Sequence, residues 1–155
     1  MQNNLGVIAL NEGKQRLAIA SFRRSLEVHK GYPNASSNLG SIFVEYKDYS
    51  RAAELLAEGY SSSNMKKGVG LDVANNYALA LSGNGELDKA KSIFQDILKS
   101  ETQNTTALMN YTILLIQKQK DKKEGEKMLN RLKFLADDSN TRKRIDDLEK
   151  ALNEN

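Results

Sequence analysis

The feature that most constrains the fold is a short phrase used more than once. Asn4-Leu5-Gly6 returns 34 residues later as Asn38-Leu39-Gly40, and at the same offset Ala18 aligns with Ala52, Phe22 with Leu56 and Ser25 with Gly59. A third copy, shifted by four further residues, runs from Asn76-Tyr77-Ala78 through Gly85, Ala90, Phe94 and Ile97. A fourth is more divergent: Asn110-Tyr111-Thr112 and Leu115, then Gly125, Leu129 and Leu132 after one extra residue in the turn. Self-similarity at this period describes small units stacked side by side, because one such unit cannot bury its apolar face alone.

Each unit reads as two helices. Apolar residues recur three and four apart, as in Leu5, Ile8 and Ala9, then Leu17, Ile19, Phe22 and Leu26, and strand alternation is absent. Breaker segments separate the helices: "NEGK", "YKDYS", "GNGELD" and "KQKDKKEG", rich in residues that end one helix and cap the next. Small residues at Gly6, Gly40, Ala78, Ala18, Ala52 and Ala90 allow close helix approach, while Phe22, Leu56 and Phe94 fill the space beside them.

This pattern resembles the tetratricopeptide repeat, a helix–turn–helix unit with Leu-Gly in its first helix and Ala-x-x-x-Phe in its second. The likeness covers about residues 2–135. It departs from the family where a large aromatic is usual early in the first helix, since Gln2, Ser36, Ala74 and Leu108 stand there, and the usual proline after the second helix is missing. The expected fold is an all-α, right-handed superhelical solenoid. Its units fall at about 1–32, 33–66, 71–104 and 105–136, as one repeat domain within a longer protein. A helix over about 139–153, with Ser139 or Asn140 as N-cap and an apolar stripe of Ile145, Leu148 and Leu152, reads as a terminal cap.

Composition narrows function by exclusion. Of 155 residues 28% are charged, with both signs mixed and a net charge of only +3, so no polycationic half advertises a nucleic-acid partner. The run from Lys118 to Lys133 also carries Asp121, Glu124 and Glu126, and Tyr111 sits in a core column, so stacking aromatics beside a basic patch are not expected. There is no cysteine and a single histidine, His29, placed where a second helix ends, so no triad, no Cys-based cluster and no His-based metal site can be assembled. "SGNGE" and "KKGVG" lack the strand and the Gly-Lys-Ser/Thr of a phosphate loop and read as turns. Catalysis, cofactors and metals are therefore not expected. No apolar run is long enough for direct membrane insertion, and cytoplasm and periplasm are equally compatible.

The resemblance implies where a partner would bind. In the family the first helices line the concave side, and Asn4, Asn38, Asn76 and Asn110 occupy a column whose asparagines grip ligand main chain. An amide side chain carries donor and acceptor together, so it can pair with a peptide unit whatever the ligand's side chains are. Helical spacing adds Val7 and Asn11, Ser41 and Glu45, Leu79 and Ile113 to that face. The same asparagines could instead bond neighbouring helices. The family's carboxylate clamp is not built here, because Asn3, Val7, Asp72 and Asn76 stand where most of its members would be.

The leading expectation is thus a non-catalytic scaffold for an extended peptide or protein segment. The alternative is a structural spacer or self-association module, joined through an N-terminal edge where Leu5 and Ile8 would be exposed. The insertion "SSSNMKKGVGLD" between the second and third copies is the candidate specific loop, or a plain connector.

Overall fold

The computed structural model describes residues 1–63 and 68–154, so part of the "SSSNMKKGVGLD" segment lies outside the described residues. Among these residues every regular element is helical: α1 Gln2–Asn11, α2 Gln15–Val28, α3 Pro33–Glu45, α4 Tyr49–Ser62, α5 Val69–Gly83, α6 Leu87–Ser100, α7 Thr105–Ile113, α8 Lys122–Leu135 and α9 Ser139–Glu154, with a π-helical segment, Leu114–Gln119, continuing α7. Two compact units result, Met1–Gly85 and Glu86–Asn155.

In the first unit α1 packs on α2 and α3 on α4, while α3 also lies against α2 and α5 against both α3 and α4. Its core follows the repeat columns. Ala9, Ala18, Phe22, Leu39 and Ile42 form one buried cluster, and Ala52, Leu56, Val73 and Ala80 a second. The Gly column is spatial: a β-carbon on Gly40 would lie 2.5 Å from the Leu56 side chain, and one on Gly6 would overlap the Phe22 ring. Ser36 stands where the family has an aromatic, for a similar reason. It is fully buried and faces Gly59, where an added β-carbon would lie 2.6 Å from the Ser36 Cβ, and no ring fits that gap.

Each first helix ends on a residue in the left-handed conformation: Gly13 (φ 71°), Lys47 (φ 59°), Gly85 (φ 84°) and Lys120 (φ 55°). In the first three cases it follows the column asparagine by nine positions, and in the fourth by ten. The sequence placed that extra residue in the turn. The structure puts it inside the helix, as the wider π turns of Leu114–Gln119, so the turn itself is unchanged.

The second unit packs α7 on α6, α8 on α7 and α9 on α8. Phe94, Leu108, Tyr111, Leu115, Leu129 and Leu132 are buried there, and Gly125 lets α8 approach Ile116 of the π segment. Ile145 and Leu148 of α9 are buried and Leu152 half-buried, so the expected apolar stripe faces the rest of the unit. The N-cap is neither Ser139 nor Asn140, however. Asp138 Oδ1 accepts from the Thr141 N–H at 2.8 Å, a carboxylate on the free donors of the first turn, and hydrogen bonding by the Thr141 side chain, then by its backbone N–H, holds the Asp138 carboxyl below its usual range.

Candidate functional site

The asparagine column links helices. Asn38 Nδ2 donates to Oδ1 of Asn3 at 3.1 Å, and Asn76 Nδ2 donates to the carbonyl oxygen and hydroxyl of Ser37, each at 3.4 Å. The acceptor in both cases is the residue just before the column position in the preceding first helix. Asn38 and Asn76 are half-buried, whereas Asn3 is buried, so the bonds form a polar spine across α1, α3 and α5. Each spends part of its amide on the fold.

Around this spine the expected residues of the first unit are accessible. Asn4, Val7 and Asn11 on α1 are exposed, as are Ser41 and Glu45 on α3, while Leu79 on α5 is half-buried. The Ser41 hydroxyl donates to the Asn38 carbonyl at 2.9 Å, a local bond that fixes its rotamer. Asn110 and Ile113, both half-buried, lie on α7 in the second unit, where Asn110 lines a cavity of about 110 Å³ with Thr106, Met109, Thr141 and Arg144.

Two concave surfaces were not legible in the sequence. The larger, about 590 Å³, lies between α2 and α4, floored by Leu26, Leu39, Phe43 and Leu55. Lys30 and Glu58 bridge its end at 2.9 Å, which raises the Lys30 pKa, and Arg51 lies 5.3 Å from the Phe43 ring centre. The second, about 430 Å³, lies beside α8 in the second unit, with Lys127, Arg131 and Phe134 among its lining. Phe134 is 89% exposed, an aromatic flanked by cations. Its only sequence signal was an apolar residue directly after Lys133 at the end of a charged helix.

Tyr111 is buried, as its core column implied, and the neighbouring rings pack in pairs. Tyr77 packs against Tyr60 with ring centres 5.2 Å apart, and Tyr111 against Phe94 at 6.1 Å. The buried Tyr111 hydroxyl donates to Glu124 Oε1 at 2.8 Å and accepts from Gln95 Nε2 at 3.0 Å, while Lys91 lies 3.4 Å from Glu124. Burial and the Glu124 carboxylate push the Tyr111 phenol well above its ordinary value. The Tyr111 hydrogen bond, then Lys91, holds Glu124 below its own. A phenol kept protonated and a carboxylate kept ionised make a fixed pair, since neither is poised near neutrality for proton transfer. His29 is exposed at the end of α2, its ring 6.4 Å from that of Tyr32. Among the described residues no three His, Cys, Asp or Glu side chains are grouped to hold a metal, and no helix is long and apolar enough to cross a membrane.

Comparison with known proteins agrees with the helical hairpins. Residues 1–144 match the family described as Est1 DNA/RNA binding domain. A tetratricopeptide-repeat-containing protein of Dictyostelium discoideum is 27% identical over 123 residues, covering 77% of this chain and 47% of its own length. The chain thus spans about half of that relative. A solved structure of a MamA mutant superposes with a TM-score of 0.70 at 18% identity, over 87% of this chain and 76% of the MamA chain, a likeness of fold.

Proposed function

We propose that this chain, which belongs to the Est1 DNA/RNA binding domain family and is built of tetratricopeptide-like helical pairs, is a non-catalytic scaffold that engages a protein segment along the first helices of its first unit. The observation that carries the reading is the face of α1, α3 and α5. The amides of Asn38 and Asn76 are held in fixed orientation by Asn3 and Ser37, and Asn4, Val7, Asn11, Ser41 and Glu45 surround them in solvent. A pre-oriented amide can offer its remaining donor and acceptor capacity to a main chain without first losing rotamer freedom. In the second unit, taken by itself, Asn110 and Ile113 of α7 offer a partner the same pairing of amide and aliphatic side chains.

The test is a selection of extended peptides from a displayed library on the full chain. Ser41→Arg and Glu45→Lys alter the face and leave the Asn38–Asn3 bond intact. Selected peptides should lose about tenfold in affinity on the double variant, as for a central contact of an interface. Undiminished binding refutes the groove reading and leaves the scaffold with another docking surface.

A second reading follows from the family's description as a DNA/RNA binding domain and from one surface of α8. Lys123, Lys127, Asn130, Arg131 and Phe134 share a helical face, with the aromatic exposed at its end. Cations along a strand's phosphates and a ring for base stacking are the parts a single-stranded nucleic acid needs. Binding of a single-stranded oligonucleotide at low salt, lost on Phe134→Ala and Lys127→Glu, would favour this reading. No binding at low ionic strength removes it.

A further inference from the structure

The same corner of the fold occurs once in each unit. Lys30, Gly31, Glu58, Ser61 and Ser62 line it between the end of α2 and α4, and Thr102, Gln103, Arg131, Phe134 and Leu135 hold the matching columns between the end of α6 and α8. In the first unit the corner is polar and bridged by the Lys30–Glu58 ion pair. In the second an arginine replaces the acid, an aromatic and an aliphatic side chain replace the two serines, and the cavity widens from about 270 to about 430 Å³, a size that takes small ligands. Packing does not require the ring there, since Phe134 is 89% exposed and fills no core.

The side chains around Phe134 are of two kinds. Lys127 and Arg131 supply positive charge, and no acid lines the cavity to cancel it. Asn130 and Gln103 supply amides, both exposed and without a hydrogen-bond partner among the described residues. Asn130 precedes Phe134 by one helical turn, so its amide lies beside anything stacked on the ring, and Gln103 lies on the loop across the cavity. A stacking face with amide edges and nearby cations is what an unpaired base and its phosphate need. The carbonyl end of α8 disfavours the phosphate, which places it toward Lys127 and the base toward Phe134. Base identity follows from which donors are free. Guanine presents two acceptors, matched by an arginine fork, but Arg131 already donates to the Thr102 carbonyl and to the Met128 sulfur. Adenine presents a donor beside an acceptor, the pattern a free amide matches, and a purine covers more of an aromatic face than a pyrimidine does.

We propose that this cavity holds one unpaired adenine of a single-stranded nucleic acid, stacked on Phe134 and read by the amides of Asn130 and Gln103, with its phosphate beside Lys127. This rests on α8 being a nucleic-acid surface, and it adds which base that surface selects.

Fluorescence anisotropy at low salt on the full chain tests it, with labelled oligouridine and oligothymidine strands that are plain or carry one central adenine, guanine or cytosine. The adenine-bearing strand of at least one sugar type should bind about tenfold more tightly than its companions, the discrimination of one well-made amide–base pair. Asn130→Ala with Gln103→Ala should bring the strands together by weakening the adenine-bearing one, and Phe134→Ala should weaken them all. Asn130→Asp should move the preference toward cytosine, whose amino group a carboxylate accepts from, an inversion that a merely structural asparagine would not give. Gln103, Asn130 and Phe134 are exposed, so helical circular dichroism should be retained in every variant. Equal binding of all strands, or an adenine preference that survives the double alanine variant, overturns the base assignment and leaves α8 as an unselective nucleic-acid surface. No binding of any strand overturns both.

Discussion

Asn38 Nδ2 donates to Asn3 Oδ1 at 3.1 Å, joining side chains 35 residues apart on adjacent first helices. The acceptor is the buried partner, so the bond satisfies an amide oxygen cut off from water. Asn38→Ala should therefore cost about 1–3 kcal/mol, the penalty for leaving a buried acceptor unpaired. Asn4→Ala, which removes an exposed amide, should fall within about 0.5 kcal/mol of wild type. Urea denaturation of the two variants checks the contrast, and equal costs would show that the spine contributes nothing.

Phe22 and Phe94 are both fully buried at the same column position. Truncation of either to alanine should cost about 3–5 kcal/mol. Two compact units carry the two rings, so unfolding followed by probes specific to each unit should show the Phe22 variant lowering the midpoint of Met1–Gly85 and the Phe94 variant that of Glu86–Asn155.

Lys47 holds a left-handed conformation that Gly13 and Gly85 adopt at the equivalent turns. A non-glycine residue there is strained by its β-carbon, so Lys47→Gly should stabilise the protein by about 1 kcal/mol. Gly13→Ala should destabilise by a similar amount, although nothing crowds its side. Thermal midpoints of the pair of variants would expose any departure.

The Ser36 hydroxyl is buried with no hydrogen-bond partner. Ser36→Ala removes an unsatisfied polar group without opening a cavity larger than one oxygen. It should be neutral or stabilising by up to about 1 kcal/mol. A loss measured by denaturant titration would mean that the hydroxyl has a use this structure does not display.

Tyr111 and Glu124 bias stability in opposite pH directions. Glu124 has its folded pKa lowered, first by the Tyr111 hydroxyl and then by Lys91. Its contribution is therefore present above its unfolded value, about 4.3, and is lost as pH falls through the folded one. Tyr111 has its folded pKa raised, chiefly by burial, so its contribution is complete below about 10, the unfolded value, and declines as pH rises beyond it. Tyr111→Phe should flatten the alkaline limb of a stability profile and weaken the acid one. A profile unchanged on the alkaline side would contradict the assignment.

Much of this architecture was already written in local spacing. The recurrence of Asn-Leu-Gly, the small-against-large columns and the breaker turns fixed the helical hairpins, because helix periodicity and turn chemistry act over a few residues and leave their mark in order. The helix after the fourth copy was visible for the same reason, in Ile145, Leu148 and Leu152.

What neighbours in space do was not visible. Whether Asn38 faces a ligand or Asn3 depends on how closely α1 and α3 approach, in the buried cluster that Ala9 of α1 shares with Leu39 and Ile42 of α3. The extra residue of the fourth copy could sit in a turn or within a helix, and only packing of Leu114, Leu115 and Ile116 selected the π segment. Phe134 and Leu17 look like ordinary apolar residues in order, yet both are exposed, because burial belongs to the assembled surface and not to the side chain. Sequence determined the repeating unit, its two helices and its turns. Tertiary structure alone decided which polar groups are spent on the fold and which apolar ones are left facing water, since both follow from distances between residues far apart in the chain.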